Sequence, residues 1–167
     1  MKKYKIAFLG AGNIAKVMAA TISQMPQVEA YAVAARDFSR AKAFAAAHGF
    51  QKSFGSYEEM LKDPQIDLVY ISTPHSHHYE HAMLCLEHGK NVLCEKAFTA
   101  NAKQAQKLLT YAKGRRLLIT EAIWTRYMPL SKKINQLIDS GIIGKVTLLT
   151  ANLGYVETNI ERVMNPN

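Results

Sequence analysis

The 167-residue sequence has two cysteines, one tryptophan, no long block of charge and no long apolar run. Cys85 and Cys94 stand in neither a CxxC nor a zinc-finger spacing. That excludes a disulfide-stapled miniprotein and reads as a pair of free thiols in an intracellular chain. No uninterrupted apolar stretch reaches the ~20 residues needed to span a bilayer. The basic start Met1-Lys2-Lys3 and the following Ile6-Ala7-Phe8-Leu9 faintly mimic a secretory signal but lack a convincing cleavage site. The chain is therefore expected to be soluble and cytoplasmic, with no membrane partner. Internal repeats are absent, and the only compositional bias is the Ala-rich stretch around Ala43 to Ala47.

What is present is ordinary globular material: 49% apolar and 20% charged residues. The length suits one domain of ~100–200 residues with a remainder. Lys plus Arg number 21 against 13 Asp plus Glu, a formal charge of +8, which favours an anionic partner. The basic runs Lys2-Lys3, Arg115-Arg116 and Lys132-Lys133 are short, and no nucleic-acid motif accompanies them. A small anionic ligand explains the charge, and no nucleic acid is expected.

Strand and helix alternate along the chain. Tyr4 to Leu9, Val28 to Ala34, Phe50 to Phe54, Asp67 to Ser72, Asn91 to Cys94 and Leu117 to Thr120 read as strands. Between them, Ile14 to Met25, an Ala-rich segment capped by Ser39 and ended by Gly49, Ser56 to Leu61, Ser76 to Glu87 and a helix capped by Asn101 and ended by Gly114 read as helices. Glu59 would complete a capping box with Ser56. Such alternation predicts an α/β fold, a doubly wound parallel sheet with its ligand site beyond the carboxyl ends of the strands. After Glu121 the rhythm changes to a helix over Pro129 to Ser140, a turn over Gly141 to Gly144 and one long strand over Lys145 to Tyr155.

Gly10-Ala11-Gly12-Asn13-Ile14-Ala15 matches G-x-G-x-x-G/A between a strand and a helix. Gly10 permits the tight turn, Gly12 lets a pyrophosphate approach the backbone, and Ala15 keeps helix and strand close. The helix start then offers N–H groups to phosphate. An acid at the end of the second strand would bind an adenosine 2′-OH. That place reads Val33-Ala34-Ala35-Arg36-Asp37, with Arg40 just beyond. A guanidinium pairs with a 2′-phosphate, so NADP is favoured over NAD. NAD stays open if Asp37 reaches the ribose.

Two further segments fall at carboxyl ends of strands: Ser72-Thr73-Pro74-His75-Ser76-His77-His78 and Gly89-Lys90-Asn91-Val92-Leu93-Cys94-Glu95-Lys96-Ala97-Phe98. A lysine just past a buried strand is a candidate general acid/base. The spacing of His77 and His81 would suit a metal, but neither cysteine nor a patterned carboxylate completes a site, so no metal is expected.

Together these segments resemble the Gfo/Idh/MocA family of nicotinamide-dependent oxidoreductases, which have a Rossmann-like domain. Glu95-Lys96, Phe98-Thr99, Asn101-Ala102 and Glu121-Ala122-Ile123-Trp124-Thr125-Arg126-Tyr127-Met128-Pro129 resemble its dihydrodiol and NADP-dependent xylose dehydrogenase branch. The resemblance implies that Gly10, Gly12, Asn13 and Ile14 contact the dinucleotide and that Arg36 and Arg40 hold the 2′-phosphate. Thr73, Pro74 and His75 would line the cofactor groove, with His78 fixing that turn. Glu95 would meet the nicotinamide ribose. Lys96 would be the catalytic lysine, and Trp124 and Arg126 would lie near nicotinamide and substrate. Two positions depart from the pattern: His75 replaces an Asn, and Ala97 replaces the proline after the lysine, which would aim Lys96 less rigidly.

The resemblance further implies a dinucleotide domain over 1–121 and the beginning of a C-terminal substrate and dimerisation domain, α+β and truncated, over 122–167. Asn165-Pro166-Asn167 would lie just before a glycine-rich turn and a downstream catalytic tyrosine. On this reading the chain is the front half of a longer protein, as a fragment or a truncated gene product. The longer protein would be a homodimer acting on a sugar, dihydrodiol or small carbonyl compound. A lone strand after Gly144 would lack order or pair with another copy. A non-catalytic nucleotide-binding or sensing module is the alternative, favoured by Ala97.

Overall fold

The computed structural model describes residues 3–154. The chain divides into two compact units, Met1–Ala122 and Ile123–Asn167. In the first unit six parallel strands form one sheet in the order β3-β2-β1-β4-β5-β6. These are β1 (Tyr4–Leu9), β2 (Val28–Ala34), β3 (Lys52–Phe54), β4 (Leu68–Ile71), β5 (Asn91–Cys94) and β6 (Ile119–Glu121). The order reverses between β1 and β4, the crevice where such sheets bind ligands. The helices are α1 (Asn13–Ile22), α2 (Phe38–His48), α3 (Tyr57–Leu61), α4 (His78–Glu87) and α5 (Ala102–Arg115).

Both faces of the sheet are covered, so its central strands are apolar on both sides. Ala7, Leu9, Val69, Ile71, Val92 and Cys94 pack with Ala82, Cys85, Leu86, Leu108 and Ala112 of α4 and α5. Phe8, Val33 and Tyr70 pack on the opposite face with Ala15, Ala19 and Ile22 of α1 and Phe44 of α2. Between Ile6 and Ala7 the register against β2 slips: Ile6 pairs with Ala30 and Ala7 with Ala32. Tyr31 is the extra residue of a β-bulge. Tyr31 and Ala32 consequently belong to the same core cluster. The Tyr31 hydroxyl donates to Asp63 Oδ2 at 2.9 Å, and Lys52 Nζ reaches the same oxygen at 2.7 Å. Lys90, 7% exposed, places its ammonium 2.5 Å from the Asp63 carbonyl oxygen. Asp63 thus joins β2, the start of β3 and the residue before β5.

The sequence-based boundaries of β1, β2 and β5 agree with the structure. Others move. Asp37, not Ser39, caps α2, its side chain accepting from Ser39 N–H. Ser56 caps α3 by accepting from Glu59 N–H, and its own hydroxyl donates to Glu58. The turn expected to open a helix at Ser76 is 3-10 over His75–His77, and α4 begins at His78. Gly114 lies inside α5; the left-handed cap is Arg116, φ 57°, beyond which Leu117 N–H bonds the Ala112 carbonyl.

The second unit begins with a 3-10 turn over Trp124–Tyr127 and continues into α6 (Pro129–Asp139). Gly141 and Gly144, both at positive φ, make the expected turn. The expected strand over Lys145 to Tyr155 is a correction: residues 145–154 form none. A strand is held by its ladder, and no described residue pairs with these. Tyr155 and Asn165-Pro166-Asn167 lie outside the described residues.

Candidate functional site

The glycine loop leaves β1 where β4 is closest. Gly10 has φ +109°, and a Cβ there would stand 3.0 Å from Ser72 Oγ and 3.2 Å from the Ser72 carbonyl oxygen. Ser72 Oγ in turn donates toward the Leu9 and Gly10 carbonyls. Only glycine fits both the conformation and the contact. Gly12 is different: its φ is −94°, and a Cβ would meet nothing within 4 Å. The space above it is what a phosphate would need. Gly12 caps α1 without a side-chain hydrogen bond, and the first turn of α1 carries no acid. Asn13 and Ile14 begin that turn, exposed, while Ala15 is fully buried against the sheet. This is a helix start open to an anion, and the residues present fit a dinucleotide phosphate.

Past β2, Ala35 is buried and its N–H bonds the Phe54 carbonyl, leaving Arg36 as the first exposed side chain. Asp37, the alternative ribose partner, uses Oδ1 on Ser39 N–H at 2.8 Å. Burial raises the pKa of the Tyr57 phenol, and the nearby charges of Arg36 and Arg40 oppose it. The Tyr57 ring meets His81 edge-on at 5.0 Å, and His81 stacks on His77 at 5.5 Å. Burial, then the neighbouring His77, lowers the pKa of His81, and Arg36 acts in the same direction. Arg36, Arg40, Tyr57, His77 and His81 therefore form one basic, partly aromatic surface beyond the strands.

The turn after β4 and the segment after β5 are tied together. Thr73 is buried and bonds His81 Nδ1 through Oγ1 at 2.9 Å; Pro74 precedes the 3-10 turn that holds His75. His78 is fully buried. Its Nε2 lies 2.9 Å from the Thr73 carbonyl oxygen and its Nδ1 lies 2.7 Å from the Ala97 carbonyl oxygen. The Phe98 N–H donates to Glu121 Oε1 at 2.8 Å, and Tyr70 Oη donates to Glu95 Oε1 at 2.7 Å. The loop carrying Lys96 is thus gripped at 95, 97 and 98, while Lys96 itself is exposed. The Lys96–Ala97 peptide is cis. Side chains of α4 and β6 thus hold the backbone at 97 and 98, and a β4 side chain holds the Glu95 carboxylate.

Tyr70 and Glu121 were not singled out from the sequence. The available signal was a phenol inside an apolar strand, since a buried hydroxyl needs a partner. Trp124 and Arg126 stand in the second unit, both exposed on its 3-10 turn. Among the described residues no group of three or more His, Cys, Asp or Glu gathers as a metal site, and no helix is long and apolar enough to cross a membrane.

The family model for oxidoreductases with an NAD-binding Rossmann fold, Gfo/Idh/MocA, matches residues 4–122. The D-xylose 1-dehydrogenase (NADP(+)) of Hypocrea jecorina is 54% identical over 111 residues, 66% of this chain and 28% of that protein. The trans-1,2-dihydrobenzene-1,2-diol dehydrogenase of Macaca fuscata fuscata is 39% identical over 159 residues, 94% of this chain and 48% of that protein. Among solved structures, a 3-ketoreductase from Actinomadura kijaniata in complex with NADP and TDP-benzene superposes with TM-score 0.80 at 29% identity, covering 86% of this chain and 44% of that one. The chain spans about half the length, or less, of the curated relatives it matches. Sheet order, glycine loop and family match agree, and the chain belongs to the Gfo/Idh/MocA oxidoreductase family.

Proposed function

We propose that the chain is the cofactor-binding portion of an NADP-dependent dehydrogenase acting on a sugar, dihydrodiol or small carbonyl compound. The observation that carries this reading is the pairing of a helix start at Gly12 that has no side-chain cap with the Arg36 and Arg40 charges beside Tyr57. The N–H groups at Asn13 and Ile14 receive the pyrophosphate. Arg36 and Arg40 hold the 2′-phosphate as charge-assisted donors. Thr73, Pro74 and His75 line the groove, His78 fixing their turn, and Glu95 accepts from the nicotinamide ribose. The bound nicotinamide supplies hydride chemistry. Lys96 holds the substrate oxygen and moves its proton. Residues 122–167 begin the substrate and dimerisation domain of a cytoplasmic homodimer. The basic strand-end surface, a xylose dehydrogenase relative that uses NADP(+) and a related NADP complex support the cofactor.

Fluorescence titration with NADPH and NADH tests the reading. NADPH should bind more tightly, and Arg36→Ala should weaken NADPH about 10–100-fold while leaving NADH nearly unchanged. Equal affinities in the unmodified chain would overturn the 2′-phosphate assignment. In a chain continued through the second domain, Lys96→Met should abolish turnover and keep NADPH binding.

A further inference from the structure

We propose that Tyr70 is a positioning residue for the nicotinamide ribose, its hydroxyl fixing the Glu95 carboxylate that receives that sugar. This assignment rests on the cofactor reading above, in which Glu95 meets the ribose.

Tyr70 sits in β4 between Phe8 of β1 and Leu93 of β5 in register. Its ring lies 4.9 Å from that of Phe8, and the residue is 1% exposed. Packing alone asks for a phenylalanine here. A buried hydroxyl is costly unless it is paired, so the oxygen needs a specific partner. That partner is Glu95 Oε1 at 2.7 Å. The other carboxylate oxygen, Oε2, accepts from Lys96 N–H at 3.3 Å. One donor on each oxygen sets the plane of the carboxylate and leaves acceptor capacity on both. Glu95 is half-buried and directly follows Cys94, the last residue of β5, at the strand ends where the cofactor would lie. A ribose hydroxyl donates to such an oxygen. Burial, then the hydrogen bond from the phenol to Glu95, pushes the Tyr70 pKa far up, so the phenol stays a donor at working pH.

The test compares two ligands on the 167-residue chain. NADPH carries the nicotinamide ribose; adenosine 2′,5′-bisphosphate lacks it. Tyr70→Phe keeps the ring and removes the hydroxyl. It should weaken NADPH about 3–10-fold and leave the bisphosphate within about twofold. In a Glu95→Ala background, Tyr70→Phe should add less than about a twofold further loss, because its effect passes through that carboxylate. Equal weakening of both ligands, or a full additional loss without Glu95, would overturn the assignment in favour of a general packing defect. Unchanged NADPH affinity in Tyr70→Phe, beside normal binding by the unmodified chain, would overturn Tyr70 alone. No NADPH binding by the unmodified chain would overturn the cofactor reading and this assignment with it.

Discussion

The imidazole Nδ1 of His78 lies 2.7 Å from the carbonyl oxygen of Ala97, the residue after the candidate catalytic lysine. Through this contact the first turn of α4 holds the backbone of another strand's loop. It replaces, by hydrogen bonding, some of the restraint that a proline ring would give at 97.

His78→Ala should therefore be costly. It removes a fully buried ring and strips the Thr73 and Ala97 carbonyls of a partner. A loss of about 2–4 kcal/mol in denaturant unfolding is expected. A change below about 0.5 kcal/mol, the range of surface substitutions, would show that neither contact matters.

The two loop glycines should separate stability from binding. Gly10→Ala forces a side chain into positive φ and against Ser72, and should cost about 1–3 kcal/mol in unfolding experiments. Gly12→Ala meets open space and should cost no more than about 1 kcal/mol. NADPH affinity should nevertheless fall in Gly12→Ala. Unchanged affinity there would remove the phosphate from that position.

Acid should loosen the fold through Asp63. Burial alone would raise this carboxyl, but the Lys52 ammonium, the Gln65 N–H and the Tyr31 hydroxyl outweigh it and bring the pKa from 3.8 to about 2. The folded state thus favours the charged form. Its contribution is complete above the ordinary carboxylate value and is lost as pH falls from 3.8 toward about 2. Urea midpoints measured across that interval should fall less steeply in Asp63→Asn than in the unmodified chain.

Both thiols should be silent in the native protein. Burial pushes Cys94 up to about 12 and Cys85 higher still. Little reactive thiolate exists at neutral pH. Native protein should react with a chromogenic disulfide reagent only at its unfolding rate, whereas denatured protein should titrate two thiols at once.

Much of this fold could be read before the structure, because the central strands are buried on both faces and their apolar runs end at glycine or polar residues. β1, β2 and β5 are the examples. Helix ends were harder. Gly114 looks like a stop, yet α5 continues to Arg115, because its cap is set where Leu117 turns back to the Ala112 carbonyl. Asp37 and Ser39 are both good caps by residue type, and only the backbone decides between them. The strand expected over 145–155 had the right alternation and no partner to pair with. At the candidate site, the motifs point to Gly10, Arg36 and Lys96, and the structure places each just past a strand end. Tyr70 escaped notice, His81 entered only through a metal-like spacing and Glu121 only within a family-like segment, because their contacts join distant segments, which spacing along one chain does not encode.

β2 is one residue longer than its pairing with β1 requires. The surplus is Tyr31, the residue whose hydroxyl reaches Asp63. A one-residue deletion in a strand normally inverts every side chain beyond it. Removing Tyr31 would instead bring Ala30 into regular alternation with Ala32 and leave Val33, Ala34 and Arg36 in phase. The bulge is thus a place where this domain could change length by one residue without moving the candidate cofactor-selecting end, giving up Tyr31's place in the core and its tether to Asp63.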